Sequence, residues 1–108
     1  MLSTNWMNQP KNNIPKTVDE AVQRLMSDLS LKDKNTIANM DESDLINLHF
    51  SLGLSIRNCF LYPRNEKLLE SCRSVSKDKY LHWDQASMVI IKEVWKRLRE
   101  KHKLRVVK

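Results

Sequence analysis

His49 and Arg57 stand eight residues apart in the stretch Leu48-His49-Phe50-Ser51-Leu52-Gly53-Leu54-Ser55-Ile56-Arg57-Asn58, with Gly53 midway between them. At helical spacing, positions four and eight apart share a face, so an imidazole, a position without a side chain and a guanidinium line up. Such a set can bind an anion. The planar guanidinium offers a fork to a carboxylate, and the imidazole or the Asn58 amide can add a hydrogen bond. His82 and Asp84 precede the last apolar segment and are the polar groups that a helix crossing at Gly53 would bring close. A structural arrangement of the same residues is the favoured reading. Arg57 then pairs with an acid such as Asp84 or Asp44, Asn58 caps a helix end, and His49 bonds a backbone carbonyl, because buried polar groups must be paired whether or not they function.

Other chemistry finds less support. No serine lies in a nucleophile elbow. Cys59 and Cys72 have no near cysteine partner and form no CxxC or zinc-knuckle spacing. His49, His82 and His102 lack the companion ligands that a metal site needs. No catalytic residue, metal ligand or cofactor is expected. The N-terminus has neither a basic start nor an apolar run, so it does not read as a secretory leader, and no stretch approaches the length of a membrane span. A cytoplasmic protein with free thiols, and no membrane partner, is the expectation.

The elements that hold these groups read as helices. The chain has 108 residues, one glycine and three prolines. That length makes one domain, and a scarcity of turn residues argues against an all-β fold. An all-α bundle of four to five helices is expected, with a flexible N-terminal arm over residues 1–15, a helical domain over 16–100 and a basic C-terminal tail over 101–108. In the arm, Trp6 either docks on the domain, the favoured reading, or marks a contact with something else.

Thr17-Val18-Asp19-Glu20 is a capping-box pattern that opens a first helix with Ala21, Val22, Leu25, Met26 and Leu29 at helical spacing. Ser30 starts a second, short helix running to about Ala38. Asp41, Glu42 and Asp44 open a third that runs to about Cys59. Its apolar residues form two lines, Leu45-Leu48-Leu52-Ile56-Phe60 and Ile46-Phe50-Leu54, which predicts a central helix covered on two sides. Mid-helix Gly53 costs roughly 1 kcal/mol relative to alanine, so close approach of another helix is expected there, near Ala86 or Ile90. Asn65 caps a helix holding Leu68, Leu69 and Cys72, a polar loop follows from Ser74 to Lys79, and Asp84 caps the last helix, with Ala86, Val89, Ile90, Val94, Trp95 and Leu98 facing inward.

Charge is segregated along the chain. Residues 1–91 hold as many basic as acidic side chains, and residues 92–108 hold eight basic against two acidic, the whole net charge of +6. Lys92, Lys96, Arg99 and Lys103 fall on the outer face of the last helix. Such a stripe can attract phosphate backbones or an acidic protein, but the favoured reading is a solvated face.

Several segments together carry a resemblance. These are Pro15-Lys16-Thr17-Val18-Asp19-Glu20-Ala21-Val22, Leu48-His49-Phe50-Ser51-Leu52-Gly53 with Ile56-Arg57-Asn58, Leu68-Leu69, and His82-Trp83-Asp84-Gln85-Ala86-Ser87 with Ile90-Ile91 and Trp95. They resemble a family of short bacterial domains of unknown function built around an LHF-x-LG-x-x-IRN core. That family's late segment tends to read His-Pro-Asp-Asp-Ala-Ser, where this chain has Trp83 and Gln85 at the second and fourth positions. The resemblance spans roughly residues 14–99 and implies a helical domain without an established activity. The function expected from all of this is a non-enzymatic protein-binding module of the accessory or immunity type. The alternatives are a nucleic-acid-binding accessory using the basic C-terminal helix, or a small enzyme or ligand-binding site around His49 and Arg57.

Overall fold

The computed structural model describes residues 14–61 and 65–106, with side chains as far as residue 101. It is all-α. Helices α1 (Val18–Asp28) and α2 (Leu31–Ala38) are followed by a 3-10 segment (Glu42–Leu48), a short α3 (Leu52–Ile56) and a π-helical turn (Arg57–Leu61), then α4 (Glu66–Ser76) and α5 (Trp83–Val106).

Local chemistry sets several boundaries. The Thr17 hydroxyl accepts from the Glu20 amide at 3.1 Å, while the Glu20 carboxylate accepts from the Lys16 amide at 2.9 Å, one residue earlier than a regular capping box. Ser30 caps α2 through the Asp33 amide, and Asn65 caps α4 through the Leu68 amide. The Asn65 amide group also donates to the Pro15 and Phe60 carbonyls at 2.7 and 2.8 Å, tying the start of the domain to the end of the π turn. The expected polar loop after α4 begins later than its sequence indicates. The helix continues to Ser76 and stops at Lys77, which takes the left-handed conformation at φ 59° usual for a helix C-terminus.

Helix α5 is the hub, packing against every other helical element. Ala86, Ile90 and Val94 with Ser87, Ile91 and Leu98 bury a wide arc of its surface. It starts at Trp83, with the His82 carbonyl accepting from the Ala86 amide and Gln85 Oε1 accepting from the His82 amide. The cap is therefore His82, and Asp84 sits in the first turn. Trp95 packs inward and donates its Nε1–H to the Met40 carbonyl at 2.8 Å.

The third segment departs furthest from expectation. Instead of one regular helix over residues 41–59, it is a 3-10 helix, a non-helical turn at His49–Ser51, a short α-helix and a π turn. Ser51 explains part of the break, since both its amide and its hydroxyl turn back to the Leu48 carbonyl, at 3.3 and 3.4 Å. Leu45, Leu48, Leu52, Ile56 and Phe60 are buried as the first apolar line predicts. The second line is uncovered, with Ile46 62%, Phe50 84% and Leu54 47% exposed. The segment has one packed face, and the central position belongs to α5.

Both cysteines are free thiols, Cys72 fully buried and Cys59 partly so. Burial pushes the Cys72 thiol up to about 12, and its Sγ lies 3.6 Å from the Ala86 carbonyl. A folded value above the unfolded one of 9.0 means the contribution to stability is complete below pH 9 and lost as pH rises towards 12. Two results are expected. Native Cys72 resists iodoacetamide at pH 8 while the unfolded chain reacts, and urea unfolding of Cys72→Ala shows a shallower alkaline loss of stability than the parent.

Candidate functional site

Arg57 occupies the first position of the π turn, and its side chain runs back towards the N-terminus, as helical side chains do. It crosses Gly53, one turn earlier. A Cβ on Gly53 would lie 3.2 Å from Arg57 Nη1, 3.3 Å from the Leu48 carbonyl oxygen and 3.4 Å from Ser87 Oγ. The glycine thus supplies a slot for the guanidinium. The last helix does approach here, as expected, but through Ser87 and not Ala86 or Ile90, and the nearest atom belongs to Arg57 itself.

A hydroxyl, an imidazole nitrogen and a backbone carbonyl surround the guanidinium. Nη1 donates to Ser87 Oγ at 2.9 Å and lies 3.4 Å from His49 Nδ1, while Nη2 donates to the His49 carbonyl at 3.3 Å. Acceptance at Nδ1 requires the neutral ring with its proton on Nε2. Ser87 is fully buried, and its hydroxyl donates a hydrogen bond to the Asp84 carbonyl at 3.0 Å. The His49 ring meets the Phe50 ring edge-on, with centroids 4.8 Å apart. The cluster ties the π turn, the turn after the 3-10 segment and α5 together at one point.

Of the sequence-derived candidates, His49 and Arg57 come together and Gly53 joins them. Asp84 is not the partner of Arg57. It is exposed and contributes only its backbone carbonyl, at one remove through Ser87, and no carboxylate pairs with Arg57 among the described residues. His82 is exposed at the α5 cap, and Asn58 is exposed in the π turn with no side-chain bond to a described residue. Ser87 was not singled out by sequence reasoning. The signal was its place in the quoted Ala86-Ser87 pair, a hydroxyl at the foot of the buried stripe of α5.

The basic face of α5 is engaged within the molecule. Lys92 pairs with Glu42 at 2.7 Å, which holds the Glu42 carboxyl below its usual range, and Lys96 pairs with Glu93 at 3.4 Å. Arg99 lies 5.0 Å from the Trp95 ring and donates to the Met40 and Ala38 carbonyls at 3.2 and 3.4 Å, closing the end of α2. Lys103 belongs to the last turns of α5, and its side chain, like Trp6 and the rest of residues 1–13, lies outside the described residues. Arg97, not among the expected stripe, binds Asp19 at 2.6 Å and ties α5 to α1.

Burial pushes both thiols up, the reverse of what a nucleophile requires. Among the described residues no group of three or more His, Cys, Asp or Glu side chains is placed to hold a metal ion, and no helix is long and apolar enough to cross a membrane.

No curated protein and no solved structure matches the chain. A protein-family comparison does match, over residues 14–98, which takes in the cluster and every element from α1 through the Trp95 turn of α5. The chain therefore belongs to the family described as Domain of unknown function (DUF6794).

Proposed function

We propose that the domain is a non-enzymatic protein-binding module, of the accessory or immunity type, acting in the reducing cytoplasm. The observation that carries this reading is the uncovered apolar line on the 3-10/α3 segment. A single exposed large side chain is ordinary on a small protein. Here three fall within nine residues, and the most exposed is an aromatic ring at 84%. Exposed aromatic side chains are the usual anchors of protein interfaces. The occupant is a protein partner that offers an apolar pocket to Phe50 and an acidic rim to the adjoining guanidinium.

The test is co-purification of the tagged protein from its native cell, with and without nuclease. The parent is expected to retain one stoichiometric protein after nuclease treatment. Phe50→Asp, which leaves the core untouched, should reduce that recovery at least tenfold with an unchanged thermal melt. Equal recovery by Phe50→Asp contradicts the docking surface.

A second reading, nucleic-acid binding through the C-terminal helix, is favoured by one observation. The entire net charge lies in residues 92–108, and α5 carries every basic residue of that stretch except Lys108 as continuous helix to Val106. Nuclease-sensitive, salt-sensitive recovery lost in a Lys96→Gln, Lys101→Gln, Lys103→Gln variant would favour it instead. Arg99 is left intact in that variant because it holds the end of α2.

A further inference from the structure

We infer that Arg57 is a receptor for a carboxylate of the docking partner, an Asp or Glu side chain set beside an apolar residue. The inference rests on the protein-docking reading above and names the polar half of that surface.

A partly buried cation ordinarily has an acid beside it. Arg57 has only a hydroxyl, an imidazole nitrogen and a carbonyl. Those contacts orient the guanidinium plane and occupy Nη1 and one N–H of Nη2. The Nε–H and the second Nη2–H are unused among the described residues. Two adjacent parallel N–H groups are what a carboxylate grips bidentately. The Gly53 slot and the Ser87 anchor hold the group in place before a ligand arrives, so little side-chain entropy is left to lose on binding.

The apolar half is continuous with this fork. Arg57 touches the His49 ring, and the His49 ring touches the exposed Phe50 ring. A ligand with an acidic group next to an apolar side chain satisfies both ends. A doubly charged phosphate calls for a second permanent cation, and no lysine or second arginine is among the described residues that hydrogen-bond Arg57.

The test is a nitrogen–proton NMR titration of the full chain, reading the Arg57 Nε–H signal. The probes are N-acetyl-aspartyl-leucinamide and its neutral isostere N-acetyl-asparaginyl-leucinamide. The acid should bind at least tenfold more tightly than the amide. Arg57→Lys keeps the charge but not the fork and should weaken the acid about tenfold, read from backbone amides near Gly53. If that variant fails to fold, the acid-to-amide ratio in the parent decides alone.

Equal binding of acid and amide overturns the inference, as does tighter binding of inorganic phosphate than of the acid. Its failure is separable from failure of the docking reading. No acid preference, with partner recovery still lost in Phe50→Asp, removes the carboxylate receptor and leaves the docking surface. An acid preference with recovery indifferent to Phe50→Asp removes the docking surface and, with it, the assignment of the carboxylate to a docked partner.

Discussion

Gly53→Leu is expected to lower the stability of the domain by about 1–3 kcal/mol, although leucine is the better helix former by roughly 1 kcal/mol. The reason is the crowding around the position. The first added carbon would stand 3.2 Å from Arg57 Nη1, 3.3 Å from the Leu48 carbonyl and 3.4 Å from Ser87 Oγ. The guanidinium can swing away, but only by leaving Ser87 and His49. The Leu48 carbonyl is backbone, already accepting from Ser51, and cannot withdraw without moving the 3-10 segment. The larger branched side chain has further atoms to place between α3 and α5. Urea unfolding measures the change, and a variant as stable as the parent would show that the slot is not needed.

Ser87→Ala is expected to cost about 1–3 kcal/mol, from removal of a single oxygen. The hydroxyl is fully buried, accepts from Arg57 and donates to the Asp84 carbonyl. Without it the Nη1 donor faces a methyl group at the foot of α5, and an unsatisfied charged donor is expensive in a site with poor access to water. A loss within about 0.5 kcal/mol, the range of ordinary surface substitutions, would mean that the guanidinium finds another acceptor. Comparing the thermal melt of Ser87→Ala with that of an exposed control such as Ser76→Ala separates the two outcomes.

Much of this fold was legible because helix ends are written locally. Thr17, Ser30 and Asn65 each cap the helix that their position predicts, since a cap needs only a side-chain oxygen and an amide two or three residues on. Core residues spaced by three and four in α1 and α4 were legible for the same reason. What was not legible depends on distant partners. Apolar periodicity over residues 45–60 predicts a helix with two covered faces, but it cannot say whether anything is left to cover the second. Helix α5 presents the wider apolar arc and takes the centre, and Ile46, Phe50 and Leu54 remain outside.

The site divides in the same way. His49, Gly53 and Arg57 sit on one stretch, so their convergence follows from spacing. The identity of the group that meets Arg57 from α5 does not. A carboxylate was the natural expectation for a guanidinium, and Asp84 was the acid available at that end of the helix. The start of α5 at Trp83 places Asp84 in the exposed first turn and Ser87 against the slot, a difference of less than one helical turn. Serine in an apolar run reads as a small neutral filler, which is why its part in the cluster was hidden.

The central claim is that Arg57 is held by groups other than a carboxylate, with Ser87 first among them, and so keeps part of its guanidinium for a ligand. The measurement that tests it most directly is a double-mutant cycle on stability combining Arg57→Met with Ser87→Ala, run beside a second cycle combining Arg57→Met with Asp84→Ala. Coupling of about 1–2 kcal/mol is predicted for the serine cycle and additivity for the aspartate cycle. Additivity with Ser87, together with strong coupling to Asp84, would contradict the account, because Arg57 would then already have its carboxylate.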